Sequence, residues 1–219
     1  MKKAAIFDMD GVLVDTVALN WQANNQALAP YGIHVEDSQL KRYVGRTLKD
    51  QVQQLSTDYG VQLDYETFNT EATAIKFRLM AHLTPKEGVI DLLQLLKSQG
   101  IPLGVATSNS RENTEHRLGG AGLLDFFDVV VTEDDVTAHK PDPEVYLKTA
   151  ELLGVKPDDC LVFEDAPSGV DSAKAAYMGC IAVRTTQVKD ADIASADKIV
   201  DSLAEVDQSV IDEIFTRSL

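Results

Sequence analysis

The chain is poor in cysteine, in positive charge and in long apolar runs. Its two cysteines, Cys160 and Cys180, fall where buried strands would begin. Core packing is their expected role, no pairing is implied, and a reducing, cytoplasmic setting is expected. Lys and Arg together number 20 against 35 Asp and Glu, leaving a formal charge of −15. That balance argues against a broad nucleic-acid or anionic-membrane surface, and any anionic ligand would need a local positive pocket. No apolar run approaches the length of a membrane-spanning helix. Asp8 interrupts the short apolar stretch after Met1, so no signal peptide is expected. No His/Cys cluster suggests zinc, and each of His34, His82, His116 and His139 reads as an ordinary side chain. Repeats and low-complexity segments are absent from the sequence.

What the chain has is alternation. Short apolar runs at 4–7, 103–106, 129–131, 161–163 and 181–183 read as buried parallel strands, with a weaker sixth at 198–200. Helical periodicity at 88–98, 111–118, 143–153 and 168–178 separates several of them, and an amphipathic helix is expected at 207–217. The fold class is therefore α/β, a parallel sheet with helices on both faces. Residues 17–82 break the pattern with helical segments at 18–28, 38–43, 48–59 and 65–81. They read as an inserted α-helical subdomain. The core is then 1–16 with 83–219, and the two crossings would act as hinges.

Carboxylates gather at the predicted strand ends. The first strand runs into Asp8-Met9-Asp10-Gly11, and a later one into Glu164-Asp165-Ala166-Pro167. Either segment alone could be a solvated turn or an acidic helix cap. If the four acids converge, repulsion is about 3 kcal/mol per pair at ~5 Å and an effective dielectric near ~20. A divalent cation removes that penalty, and an all-oxygen donor set suggests Mg²⁺. The second strand ends in Thr107-Ser108-Asn109-Ser110, where hydroxyls and a helix N-terminus suit phosphate oxygens as well as simple capping. Lys140 sits in His139-Lys140-Pro141-Asp142-Pro143, a turn stiffened by two prolines, where it could neutralise a phosphoryl group. Asp134 and Asp135 read as a solvated acidic loop.

These segments in this order, with the insertion directly after the first, resemble the haloacid dehalogenase-like phosphohydrolase superfamily. The likeness is greatest to its helical-cap branch of β-phosphoglucomutases and sugar-phosphate phosphatases, and it spans essentially the whole chain. It implies a Rossmann-like core and a hinged cap that closes over substrate. It implies that Asp8 is the nucleophile and forms an aspartyl-phosphate, while Asp10 is the acid/base. It implies Mg²⁺ held by Asp8, the Asp10 carbonyl, Asp165 and Glu164, with Thr107, Ser108 and Lys140 on the phosphoryl oxygens. In the cap, Arg46 and Asn20 become substrate-side candidates; Lys49 and Lys76 read rather as solvated helix charges and Trp21 as cap core. Relatives that act as mutases carry a histidine ten residues after the acid/base aspartate, where this chain has Asn20. Hydrolysis of small phosphate monoesters by a monomer is thus expected ahead of phosphomutase chemistry. Pyrophosphate hydrolysis and a non-catalytic binding role rank lower.

Overall fold

A computed structural model describes residues 2–43, 47–186 and 188–217. The chain divides into two compact units, Met1–Asp15 with Leu83–Leu219, and Thr16–His82.

The first unit is built on six parallel strands: β1 (Ala4–Phe7), β2 (Leu103–Ala106), β3 (Val129–Val131), β4 (Cys160–Glu164), β5 (Gly179–Val183) and β6 (Lys198–Val200). Their order across the sheet is β3-β2-β1-β4-β5-β6. β1, β2, β4 and β5 are buried along their whole length, which is why they read as unbroken apolar runs. Phe7 lies opposite both Val105 and Phe163 in register and stacks on the Phe163 ring at 4.5 Å.

The inserted unit carries α1 (Thr16–Leu28), α2 (Leu48–Tyr59) and α3 (Tyr65–Met80). Its own core includes Trp21, Leu28, Tyr43, Leu55, Phe68 and Ile75, with Trp21 and Tyr43 ring centroids 5.7 Å apart. Asn25 ties α1 to the segment beyond it, bonding both backbone groups of Val35. The helix expected at 38–43 is instead a 3₁₀ helix, Asp37–Arg42. Glu36 and Gln39 cap it reciprocally, and Tyr43 N–H already turns back to the Leu40 carbonyl, so the run is too short to settle into an α-helix.

The first unit continues with α4 (Val89–Ser98), α5 (Arg111–Gly120), α6 (Glu144–Leu153), α7 (Pro167–Ala175) and α8 (Gln208–Arg217). Alternate strand residues face opposite ways. Ala4, Ile6, Val162 and Ala182 pack with Tyr146, Ala150, Val170 and Ala173 of α6 and α7. On the other face Gly179 closes against Ile214 of α8, where an added Cβ would meet its Cγ2 at 2.8 Å. α7 ends three residues earlier than the periodicity predicts, because Tyr177 adopts φ +60° and Met178 N–H bonds back to Ala173. Where the chain leaves and re-enters this unit the two strands run side by side: Val14 bridges Pro85, and Lys86 N–H donates to the Leu13 carbonyl at 3.0 Å. Cys160 and Cys180 are free and buried; burial pushes the Cys160 thiol up to about 12 and raises Cys180 as well.

Candidate active site

The C-terminal ends of β1, β2 and β4 meet at the centre of the sheet, where connections leave toward opposite edges. In open α/β sheets this is where ligands bind. Asp8 follows β1 directly and is anchored by its N–H to the Phe163 carbonyl at 2.9 Å. The chain then turns tightly, with Leu13 and Val14 N–H groups both on the Met9 carbonyl. Gly11 makes the turn possible. Its φ is +81°, and a Cβ there would stand 1.9 Å from Asp165 Oδ2. Gly169 serves β4 in the same way, since its Cβ would stand 1.7 Å from Glu164 Oε1. Two bare backbones thus let two carboxylates lie close.

Lys140 is the cation at the centre. Its Nζ is 2.6 Å from Asp8 Oδ1, 2.6 Å from Glu164 Oε1 and 3.1 Å from the Ala106 carbonyl. Its side chain is only 6% exposed. Burial alone would lower its pKa, but Asp8 and Glu164 outweigh burial and raise it, so Lys140 stays charged. Glu164 is 1% exposed and fully engaged. Oε1 accepts from Lys140 and from the Tyr146 hydroxyl at 2.7 Å, and Oε2 accepts from the N–H groups of Asp165 and Ala166. A carboxylate has about four acceptor positions, and protein donors occupy all of Glu164's.

Asp8, Glu164 and Asp165 each offer a carboxylate oxygen, all within 4.8 Å of one another, a group that could hold a metal ion. Burial raises the Asp8 carboxyl well above its ordinary range, and Glu164 and Asp10 add to the rise against the pull of Lys140. Burial and the Glu164 charge push Asp165 to about 7, opposed by Lys86 and Lys140. Lys86 itself reaches back to the Gly11 carbonyl.

Directly after β2, Thr107 is 1% exposed. Its hydroxyl accepts from the Asn109 backbone and side chain at 3.3 and 2.9 Å. Ser108 is exposed, and Ser110 caps α5. Asp134 and Asp135 are structural rather than free acids. Asp134 accepts from Arg111 N–H, and Asp135 pairs with the Arg111 guanidinium at 2.6 Å and caps Thr132.

Three contributors were not singled out from sequence. Arg117 of α5 donates from Nη1 to both Asp10 oxygens at 2.7 Å. Asn109, read only as a cap, donates to Asp10 Oδ2 at 2.6 Å. Tyr146 holds Glu164 from α6. A signal for Arg117 existed: Ser110, Thr114 and Arg117 recur at helical spacing, in a helix whose one large apolar residue is Leu118.

In the inserted unit, Asn20 lies in α1 with its Oδ1 buried and without a hydrogen-bond partner. Lys49 is exposed in the first turn of α2 and Lys76 is half-buried in α3. Arg46 lies outside the described residues.

A family model for the haloacid dehalogenase-like hydrolases matches residues 5–183. A validoxylamine A 7′-phosphate phosphatase from Streptomyces hygroscopicus subsp. limoneus is 35% identical over 207 residues, covering 94% of this chain and 96% of that protein. A phosphorylated-carbohydrates phosphatase from Thermotoga maritima is 36% identical over 175 residues, 80% and 81% of the two chains. A solved Thermotoga maritima structure, provisionally identified as a β-phosphoglucomutase, superposes with a TM-score of 0.83 at 32% identity over 98% of this chain and 100% of that one. The chain belongs to the haloacid dehalogenase-like hydrolase family. Within that family it is a phosphatase. No helix among the described residues is long and apolar enough to cross a membrane.

Proposed function

We propose that this phosphatase hydrolyses phosphate monoesters of small metabolites, sugar phosphates foremost, through an aspartyl-phosphate on Asp8. The observation that carries the reading is the buried Asp8–Lys140–Glu164 triad at the sheet edge, with Asp10 two residues on and Asp165 beside it. The phosphatases it resembles act by name on validoxylamine A 7′-phosphate and on phosphorylated carbohydrates.

In this reading Asp8 attacks phosphorus while Asp10 protonates the departing alcohol oxygen. Asp10 then takes a proton from the water that releases phosphate and restores Asp8. Lys140, Thr107 and Ser108 hold the phosphoryl oxygens as charge redistributes. The acidic group fits Mg²⁺: every donor is oxygen, and the carboxyls of Asp8 and Asp165, raised first by burial and further by Glu164 and Asp10, are ones whose ionised form a divalent cation would favour. Asp8, the Asp10 carbonyl and Asp165 would hold the ion. Glu164, with its acceptor positions filled, would join it only by giving up a protein donor. When bound, Mg²⁺ supplies neutralisation of phosphoryl charge.

Residues 17–82 serve as the cap domain and 1–16 with 83–219 as the core, the crossings near 14–17 and 82–87 act as hinges, and Arg46 and Asn20 carry substrate selectivity. The unpartnered Oδ1 of Asn20 supports that role, because a buried carbonyl oxygen without a donor is costly unless a ligand supplies one. The enzyme works as a cytoplasmic monomer. A phosphomutase is the second reading, favoured by the solved relative provisionally identified as one and disfavoured by Asn20 in place of histidine.

Phosphate release from a panel of sugar phosphates, phosphoglycolate and pyrophosphate tests the proposal, measured with Mg²⁺ and with EDTA beside Asp8→Asn. Mg²⁺-dependent release that Asp8→Asn abolishes is expected. Interconversion of β-hexose phosphates without net phosphate release would establish the mutase instead.

A further inference from the structure

Arg117 is a buried cation that the proposed chemistry does not yet use. The residue is 5% exposed. Its Nη1 donates to both oxygens of Asp10, and its Nε is buried with no hydrogen-bond partner. A guanidinium has five donors in a rigid fork, yet this one is aimed so that a single nitrogen straddles one carboxylate. The Asp10 side chain is 30% exposed against 7% for Arg117. The carboxylate therefore stands at the mouth of the site and the guanidinium behind it. Asn109 completes the grip: its Nδ2 is 2.6 Å from Asp10 Oδ2 and 2.9 Å from Thr107 Oγ1. The orientation of Asp10 is thereby tied to the loop that carries Thr107.

We propose that Arg117 is the positioning residue for Asp10, holding its carboxyl in one orientation from behind while leaving its outer edge free for the leaving oxygen and then for water. This deepens the reading above and rests on Asp10 being the acid/base. In the first step the Asp8–phosphorus bond forms, the bond from phosphorus to the alcohol oxygen breaks, and the Asp10 proton passes to that oxygen. In the second, Asp10 takes a proton from water as water attacks phosphorus, and Asp8 leaves as carboxylate. Arg117 touches neither the phosphoryl group nor the alcohol in this scheme. Its loss should therefore matter only where Asp10 must transfer a proton.

Leaving-group chemistry separates this role from a merely structural one. A p-nitrophenolate leaves without protonation, whereas a sugar alkoxide does not. Arg117→Met and Arg117→Lys would be compared in first-turnover and steady-state kinetics, on p-nitrophenyl phosphate and on the sugar phosphate turned over fastest in the panel, alone and combined with Asp10→Asn. For Arg117→Met, first turnover of the sugar phosphate should fall about 10–100-fold. The first-turnover burst of p-nitrophenolate should stay within about threefold of wild type, followed by slow steady-state release because water attack still needs Asp10. Arg117→Lys should recover part of the loss, and neither change should add to Asp10→Asn. Equal losses on both substrates, no loss on either, or full additivity with Asp10→Asn would overturn the proposal. If Arg117→Met does not fold, Asn109→Ala, which removes the second grip on Asp10, must give the same substrate split in milder form, and its absence counts against the proposal. Should Asp10→Asn itself keep full sugar-phosphate turnover, the acid/base reading of Asp10 fails, separately from any result at Arg117.

Discussion

Lys140 Nζ lies 2.6 Å from Asp8 Oδ1 with the lysine side chain almost wholly buried. A charge-assisted bond between buried partners fixes the carboxylate's orientation, and the Lys140 charge opposes the rise that burial imposes on the Asp8 carboxyl. Replacing Lys140 with Met leaves Asp8 and Glu164 facing each other without their shared cation. Turnover should fall about 10²–10³-fold. Thermal or denaturant unfolding of the metal-free protein should show destabilisation of about 3–5 kcal/mol, the usual result of stripping one partner from a buried ion pair. Lys140→Arg should restore little activity, because Nζ is fitted among Asp8, Glu164, the Ala106 carbonyl and the Tyr146 ring, where a planar fork does not fit.

Gly11→Ala combines two penalties. Its positive φ disfavours any Cβ, and the new methyl would collide with Asp165. A loss of about 1–3 kcal/mol is expected from the backbone alone. Displacing Asp165 should also weaken Mg²⁺ binding, seen as a higher Mg²⁺ requirement in phosphate-release assays. An unchanged requirement would place Asp165 outside the metal site.

The raised carboxyl of Asp165 gives a pH dependence of defined sign. Between its ordinary value of 3.8 and about 7 the folded chain keeps a proton that the unfolded chain has released. Stability of the protein in EDTA should therefore decrease as pH rises through that interval, by up to about 4 kcal/mol from this group. Asp8, raised by the same burial, acts in the same direction. Mg²⁺ binds the ionised carboxylates, so its stabilisation should be large near pH 7.5 and small near pH 5. Melting temperatures with and without Mg²⁺ at the two values check this.

The strands and four of the site residues were legible in sequence for one physical reason. A sheet buried on both faces needs unbroken apolar strands, so Asp8, Glu164 and Asp165 stand out as the charges that end them, and the prolines around Lys140 mark a fixed turn. What sequence hid depends on packing between distant elements. Arg117 reads as a solvated helix charge until α5 is laid against the β1 loop. Tyr146 reads as plain core until α6 brings its hydroxyl to Glu164. Glu164 reads as a free ligand until four donors are found on it. The segment at 38–43 read as an α-helix because periodicity over six residues does not distinguish α from 3₁₀ winding.

In the proposed mechanism Asp8 carries the phosphoryl group. The most direct measurement is to acid-quench the enzyme during turnover with Mg²⁺ and its best sugar phosphate, digest it, and weigh the peptide containing Asp8. A phosphoryl group is expected on Asp8 in the wild type, more of it in Asp10→Asn given p-nitrophenyl phosphate, whose leaving group needs no proton while water attack is slowed, and none in Asp8→Asn. Rapid phosphate release with no phosphoryl group on that peptide in wild type or Asp10→Asn would contradict that mechanism.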